Sequence, residues 1–178
     1  MMNIILEGCD KTGKTTLAKM LCDRLYLPYK HFSAPPTDLC KKSQIEFQRK
    51  IYADDISFMP QCSCVYDRFM LGEQVYAPIY RGYAPTYTKM LERAMPKDTY
   101  LILVKANISI LKKRYDGIFI KKEDIPKISK AFDIAFKSSK IKNKLIINTS
   151  NETKFESFNK IMQFIRQTIR QTYPKVKQ

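Results

Sequence analysis

The sequence has a single histidine, no tryptophan, only five glycines and roughly half as many acidic as basic residues. Cysteine is present but in a pattern that builds nothing recognisable: Cys9, Cys22, Cys40, Cys62 and Cys64 are odd in number and scattered. Cys62 and Cys64 stand one residue apart rather than two. With His31 alone to help them, that spacing argues against a zinc site and for reduced, buried thiols. There is no low-complexity tract, internal repeat or evident linker, which excludes the fibrous and disordered classes. Nowhere do about 18 apolar residues follow one another, and the opening MMNIILEGCDK lacks the basic start and long apolar run of a signal peptide. The reading is therefore a protein with no membrane partner that stays in the cytoplasm. Its 178 residues suit a single domain, 1–178, and a chain of this length buries roughly 70% of the surface it exposes when unfolded.

The shortage of acids leaves a formal charge of +15, from 32 Lys and Arg against 17 Asp and Glu. Such a surface suits a polyanionic partner, nucleotide phosphates ahead of nucleic acid. Much of the excess is lysine spread over 105–144 and the C-terminal tail, and a solvated face explains the same count.

What the chain does have is alternation. The apolar run at 2–6 is short, branched and stopped by Glu7 and Gly8, as a buried strand would be. Residues 14–26 carry Leu17, Ala18, Met20, Leu21 and Leu25 at helical spacing, and Pro28 ends that segment. Further strands are expected at 29–32, 62–66, 100–104 and 144–149. Helices are expected at 38–55, 86–95, 108–114 and 123–138, with a helical stretch after Asp67 broken around Pro78 to Pro85. A last helix carries Phe155, Phe158, Ile161, Met162, Ile165 and Ile169. Strands alternating with helices predict an α/β fold with a mostly parallel sheet covered on both faces.

GCDKTGKT, Gly8 to Thr15, matches the P-loop pattern GxxxxGK[ST], with a strand before it and a helix after it. Gly8 and Gly13 let successive backbone N–H groups turn inward around a β-phosphate, and the helix beginning near Gly13 points its positive end at the same place. The loop from Gly8 through Cys9, Asp10, Lys11, Thr12, Gly13, Lys14, Thr15 and Thr16 is thus expected to bind ATP. Lys14 would bridge the β- and γ-phosphates, and the Thr15 hydroxyl would ligate Mg²⁺.

No guanine-type NKxD element is present; NKLI at 143–146 lacks the acid. Nor does the strand at 62–66 end in two acids, as a motor ATPase would want, because Arg68 follows Asp67 directly. An acid at the carboxyl end of a neighbouring parallel strand lies beside the P-loop. There Asp67 can hold Mg²⁺ through water, and Arg68 can clamp an acceptor phosphate. A helix-capping acid beside a surface arginine is the plain alternative.

LEGCDKTGKTT resembles the thymidylate kinase signature FEGxDxxGKTT, and DRFMLGEQVY resembles that family's DRYxxSxxAY element. The resemblance implies a three-layer P-loop fold with a five-stranded parallel sheet, a mobile lid, a homodimer, and transfer of the ATP γ-phosphate to a deoxynucleoside monophosphate such as dTMP. It implies that Asp10 lies near the acceptor sugar and phosphates, that Lys11 steadies the transferred phosphoryl group, and that Arg68 holds the acceptor phosphate. Tyr76 would crowd the sugar 2′ position. The second strand leads to SAPP at 33–36 instead of Arg-Glu-Pro, and Gly72 replaces the family's serine. These departures suggest a divergent, viral branch, in which case the compartment is the host cytoplasm.

KKRYDGIFIKK at 112–122 is the lid candidate, with Lys112, Lys113, Arg114, Lys121 and Lys122 free to close over the ATP phosphates, although a solvated basic loop accounts for it equally. Phe47, Phe58, Phe69 and Tyr76 are candidates for stacking on the acceptor base, against the commoner reading of aromatics as core. Asn148 and Thr149 are candidates to flank adenine. A kinase of nucleoside hydroxyls, a kinase of modified bases or ends in DNA, and a nucleotide-binding module without turnover are the competing readings.

Overall fold

The computed structural model describes residues 1–118 and 120–172. Phe119, inside the expected lid, and the tail lysines Lys175 and Lys177 lie outside the described residues. The short apolar runs become five strands, β1 (Asn3–Glu7), β2 (Tyr29–His31), β3 (Cys64–Asp67), β4 (Thr99–Lys105) and β5 (Asn143–Asn148). All pair in parallel in the order β2-β3-β1-β4-β5. β1 and β4 are buried on both faces, which is why their sequences are continuously apolar rather than alternating.

Among the described residues seven α-helices cover the sheet: α1 (Lys14–Leu25), α2 (Lys41–Phe58), α3 (Met70–Tyr76), α4 (Tyr87–Arg93), α5 (Ile108–Arg114), α6 (Ile125–Ser138) and α7 (Lys154–Thr172). One face carries α1 and α7, whose Leu17, Leu21, Ile161 and Ile165 pack on Ile4, Leu6, Ile102 and Val104. The other face carries α2 to α6 around Ile5, Leu101, Leu103, Phe69 and Phe132. The result is the three-layer α/β architecture with a five-stranded parallel sheet. Because the helices after the adjacent strands β1 and β3 leave toward opposite faces, a crevice opens at the carboxyl ends of those two strands. Glu7 and Asp67 end these strands, with Leu6 opposite Asp67 in register.

The expected break falls late in the span from Pro78 to Pro85, at Gly82, with α4 resuming at Tyr87, and Pro78 itself does not stop the helix. Instead α3 widens into a π-helical turn, Ala77–Arg81, which ends at Gly82 with φ 68°. Proline has no N–H to give to a regular helix, and the wider turn absorbs it. Glu73, buried in α3, accepts from the Arg81 guanidinium, from Tyr83 Oη at 2.7 Å and from Tyr87 Oη at 3.1 Å, tying the turn to α4. Among the described residues no helix is long and apolar enough to cross a membrane.

Candidate active site

Gly8 opens the loop between β1 and α1 with φ +141°, and a Cβ there would lie 2.1 Å from the Val104 carbonyl oxygen of β4. Only a residue without a side chain allows the first turn of the loop to press against the neighbouring strand. Thr12 Oγ1 donates to the Cys9 carbonyl at 2.9 Å, and Lys14 Nζ donates to the same oxygen at 2.7 Å. Lys14 is buried, and its ammonium is folded back over the loop. Burial first, then the nearby Arg68 charge, lowers its pKa from the ordinary lysine value. Burial also pushes the Cys9 thiol up to about 11, and all five cysteines are free.

Thr15 Oγ1 donates to Asp67 Oδ2 at 2.6 Å, so the first residue pair of the expected metal site is in contact across the β1–β3 crevice. Tyr29 Oη donates to the same oxygen at 2.9 Å, and His31 Nδ1 lies 3.3 Å from it. Burial would raise the Asp67 carboxyl. The hydrogen bonds from Thr15 and Tyr29, with the charge of Lys14, outweigh it and hold the group below its ordinary value. Asp67 Oδ1 is buried without a hydrogen-bond partner. A hydroxyl beside an ionised carboxylate with a spare acceptor oxygen fits a hydrated Mg²⁺, which takes oxygen ligands and keeps most of its water. Among the described residues no group of three His, Cys, Asp or Glu side chains could hold a metal alone. Nucleotide phosphates and water would have to complete the shell.

Asp10, in the middle of the loop, forms an ion pair with Arg68, at the end of β3, and accepts from Tyr76 Oη of α3 at 3.4 Å. The Arg68 guanidinium lies 5.8 Å from the centre of the Tyr76 ring. Arg68 adopts φ 70°, a left-handed conformation that is uncommon for a residue with a side chain. Its N–H is fixed by the Leu6 carbonyl at 2.9 Å. Burial and the Asp10 charge raise the Tyr76 phenol well above its usual value, so it remains a neutral donor.

Glu7 is a functional neighbour that sequence reasoning passed over. Its carboxylate accepts the backbone N–H groups of Phe69 and Leu71, each at 2.8 Å, and of Gly72 at 3.2 Å. It thereby caps the start of α3, the helix that presents Tyr76. Burial raises its pKa to about 7 against the lowering effect of those bonds and of Lys14. The only hint in the sequence was a charged residue closing an apolar run. Gly72 leaves the Glu7 carboxylate room, since a Cβ there would stand 3.4 Å from Glu7 Oε2.

In the 112–122 segment Asp116, which the sequence did not single out, pairs with Lys11. Arg114 donates to the Lys11 carbonyl at 3.2 Å and to the Thr149 carbonyl at 3.4 Å. Thr149 Oγ1 in turn donates to the Thr12 carbonyl at 2.8 Å, so Arg114 and Thr149 both sit against the P-loop. Tyr80 of the π turn receives a hydrogen bond from Lys121 N at 3.3 Å and donates to Asp124 at 2.9 Å, docking the far end of the 112–122 segment. Lys112 and Lys113 are exposed on α5, and Thr16 is exposed on α1.

Two stacking candidates are corrected. Phe69 is 1% exposed, with its ring centre 4.9 Å from Phe32, 5.0 Å from Tyr52 and 5.2 Å from Tyr66, so it is core and offers an acceptor no face. Phe58 ends α2 beside Met59, whose carbonyl binds Asn3 at the opposite rim of the sheet. Phe47 is partly exposed on α2. Tyr76 is partly buried against Tyr80 and Phe132 while its hydroxyl reaches Asp10.

No family model matches the chain, nor does any curated protein. Solved structures do. The chain is similar to the YorR protein of Bacillus subtilis in complex with phosphorylated GDP, at 22% identity over 94% of this chain and 97% of that one, with a TM-score of 0.73. It is also similar to thymidylate kinase from Ehrlichia chaffeensis, at 15% identity over 91% and 97% of the two chains, TM-score 0.62. Deoxyadenosine kinase from M. mycoides, with products dCMP and a flexible dCDP bound, matches at 16% identity over 94% and 100%, TM-score 0.60. At such identities the likeness is one of architecture, and what it establishes is that this chain has the fold of the P-loop kinases.

Proposed function

We propose that this chain is an ATP- and Mg²⁺-dependent phosphotransferase acting on a deoxynucleoside monophosphate, with dTMP and related pyrimidine nucleotides as the first candidates. The observation that carries this reading is the Asp10, Arg68 and Tyr76 contact. It sets an arginine with unused N–H groups at the mouth of the phosphate loop, where an acceptor phosphate would face the donor. The choice of a pyrimidine rests on the resemblance of the two motifs alone.

In this mechanism the Lys14 ammonium leaves the Cys9 carbonyl for the β- and γ-phosphates and follows the transferred group as a point charge. Arg68 binds the acceptor phosphate through two parallel N–H groups and sets its oxygen in line with the donor. Lys11, exchanging Asp116 for the phosphoryl oxygens, adds charge from the lid side. Mg²⁺, held through Thr15 and the water shell beside Asp67, would neutralise charge on the phosphates. Because the acceptor oxygen is already ionised at neutral pH, positioning and charge neutralisation suffice and no general base is needed. A nucleoside hydroxyl would instead need a carboxylate free to take its proton. Asp10 is engaged by Arg68 and Tyr76, and the spare oxygen of Asp67 is buried, which disfavours that acceptor.

The test is ADP release from MgATP with separate panels of deoxynucleoside monophosphates, nucleosides and DNA ends, using Lys14→Ala as the blank. Lys14-dependent turnover of a monophosphate supports the proposal. Turnover confined to nucleosides or DNA ends overturns it, and silence throughout leaves a nucleotide-binding module.

A further inference from the structure

We propose that the groove between α1 and α7 binds single-stranded nucleic acid, at the rim of the sheet opposite the phosphate loop. Arg24, in the last turn of α1, faces Arg166 and Arg170 of α7 across a cavity of about 630 Å³. Asn159, Gln163 and Gln167 add to its polar wall, and Phe158 lies among the lining side chains. No acid lines this groove, and among the described residues none of the three guanidinium groups has a hydrogen bond or an ion pair. From Ser157 to the end of the chain there are five basic residues and not one acid.

Three unpaired cations converging on a concavity repel one another, and an anion is what relieves them. Arg166 and Arg170 stand one helical turn apart, so their side chains project from the same side of α7 about 6 Å from each other. Consecutive phosphates of an extended strand can engage both. Partly buried Phe158, with exposed Phe155 one turn earlier, supplies aromatic surface along the same helix, and the glutamine amides can bond base edges. A basic track with aromatic platforms is the chemistry that holds single strands without strong sequence preference.

The site is separate from the proposed reaction centre. Arg24 lies ten positions after Lys14 on α1, about 15 Å along the helix at 1.5 Å per residue. A strand bound here is held by the protein and is not its phosphate acceptor, so the proposal stands or falls independently of the acceptor's identity.

The test is fluorescence anisotropy of a labelled oligodeoxynucleotide of roughly 12 nucleotides, within the span one small domain covers. It is measured over a salt series for the full chain and for the triple variant Arg24→Gln, Arg166→Gln, Arg170→Gln. The triple variant is expected to bind at least about 10-fold more weakly, with a log–log salt slope shallower by about 2, since each lost single-strand phosphate contact removes about 0.7. Its turnover of MgATP with the acceptor, or its circular dichroism if no acceptor is known, should equal that of the unmodified chain, showing that it is folded. Lys14→Ala should bind the oligonucleotide normally. Unchanged affinity and slope in a folded triple variant would overturn the proposal, as would displacement of the strand by millimolar ATP or nucleoside monophosphate. Hydrogen exchange gives a second readout on the unmodified chain: protection of 159–170 on adding the strand is expected, and its absence with protection of the P-loop refutes the placement.

Discussion

Asp10 and Glu73 each hold an arginine and a tyrosine hydroxyl in a buried setting, yet one cluster is closed and the other is open. Glu73 takes Arg81 on one carboxylate oxygen and two tyrosine hydroxyls on the other, and the Arg81 side chain is 14% exposed. Three donors engage the two oxygens, and the cluster fastens the π turn to α4. Asp10 has Arg68 on one oxygen and a long contact from Tyr76 on the other. The Arg68 side chain is 27% exposed, and its remaining N–H groups have no partner among the described residues. The same three residue types make a brace when their valences are satisfied and a receptor when they are not.

The largest expected effect separates the two arginines by activity. Arg68→Ala should lower kcat/KM for the phosphate acceptor by about 1,000-fold, roughly 4 kcal/mol of transition-state stabilisation. Its unfolding free energy from urea melts should change by no more than about 1 kcal/mol, since the pair is partly exposed and Lys14 remains beside Asp10. Arg81→Ala should do the reverse, costing about 3 kcal/mol of stability by stranding a buried carboxylate, with turnover at low temperature within a few-fold of the unmodified chain. If urea melts show Arg68 as the costlier loss, the distinction between brace and receptor collapses.

Glu7 sharpens the comparison through pH. Its folded pKa of about 7 lies above its ordinary 4.5. Below 4.5 both states hold the proton and the contribution is fully present. Between 4.5 and 7 the unfolded chain releases the proton while the folded one keeps it, so stability falls as pH rises through that window. Glu7→Gln keeps an acceptor oxygen for the α3 amides and removes the titration. The stability difference between variant and unmodified chain should therefore move by roughly 2–3 kcal/mol from pH 4.5 to 7 in the variant's favour, read by chemical denaturation at each pH. A difference that is flat with pH would mean that Glu7 is ionised throughout.

The smallest effect belongs to the pair between Lys11 and Asp116. Asp116→Ala frees Lys11 from a partly exposed pair, and such pairs contribute less than about 1 kcal/mol, so thermal stability should hardly change. The KM for ATP should shift modestly, by about 2- to 5-fold, because Lys11 no longer has to leave a carboxylate to reach the phosphates. A collapse in stability would place Asp116 with Glu73, as a brace.

Much of this frame is readable along the chain because its signals are local. Strand, glycine loop and helix around Lys14 occupy a continuous stretch, and Asp67 with Arg68 terminates an apolar run. The residues that escaped are those whose meaning is tertiary. Tyr29 and His31 read only as parts of a brief strand, yet β2 pairing puts both at Asp67. Asp116 meets Lys11 across a separation of 105 residues, and Glu7 meets the start of α3 across more than 60. Phe69 failed in the other direction. Its place beside Arg68 made it look like part of the site, but the left-handed turn at Arg68 sends the next side chain inward to the aromatic core.

The contact between Gly8 and the Val104 carbonyl means that the phosphate loop is moulded from outside as well as from within. Its first turn is seated against the rim of a strand that begins 91 residues later. A transplanted octapeptide would carry the motif without the mould. Grafts of this loop into other proteins should hold phosphate only where the host offers a parallel neighbour at the same depth, and any side chain at position 8 would wedge the two central strands apart before it ever met a nucleotide.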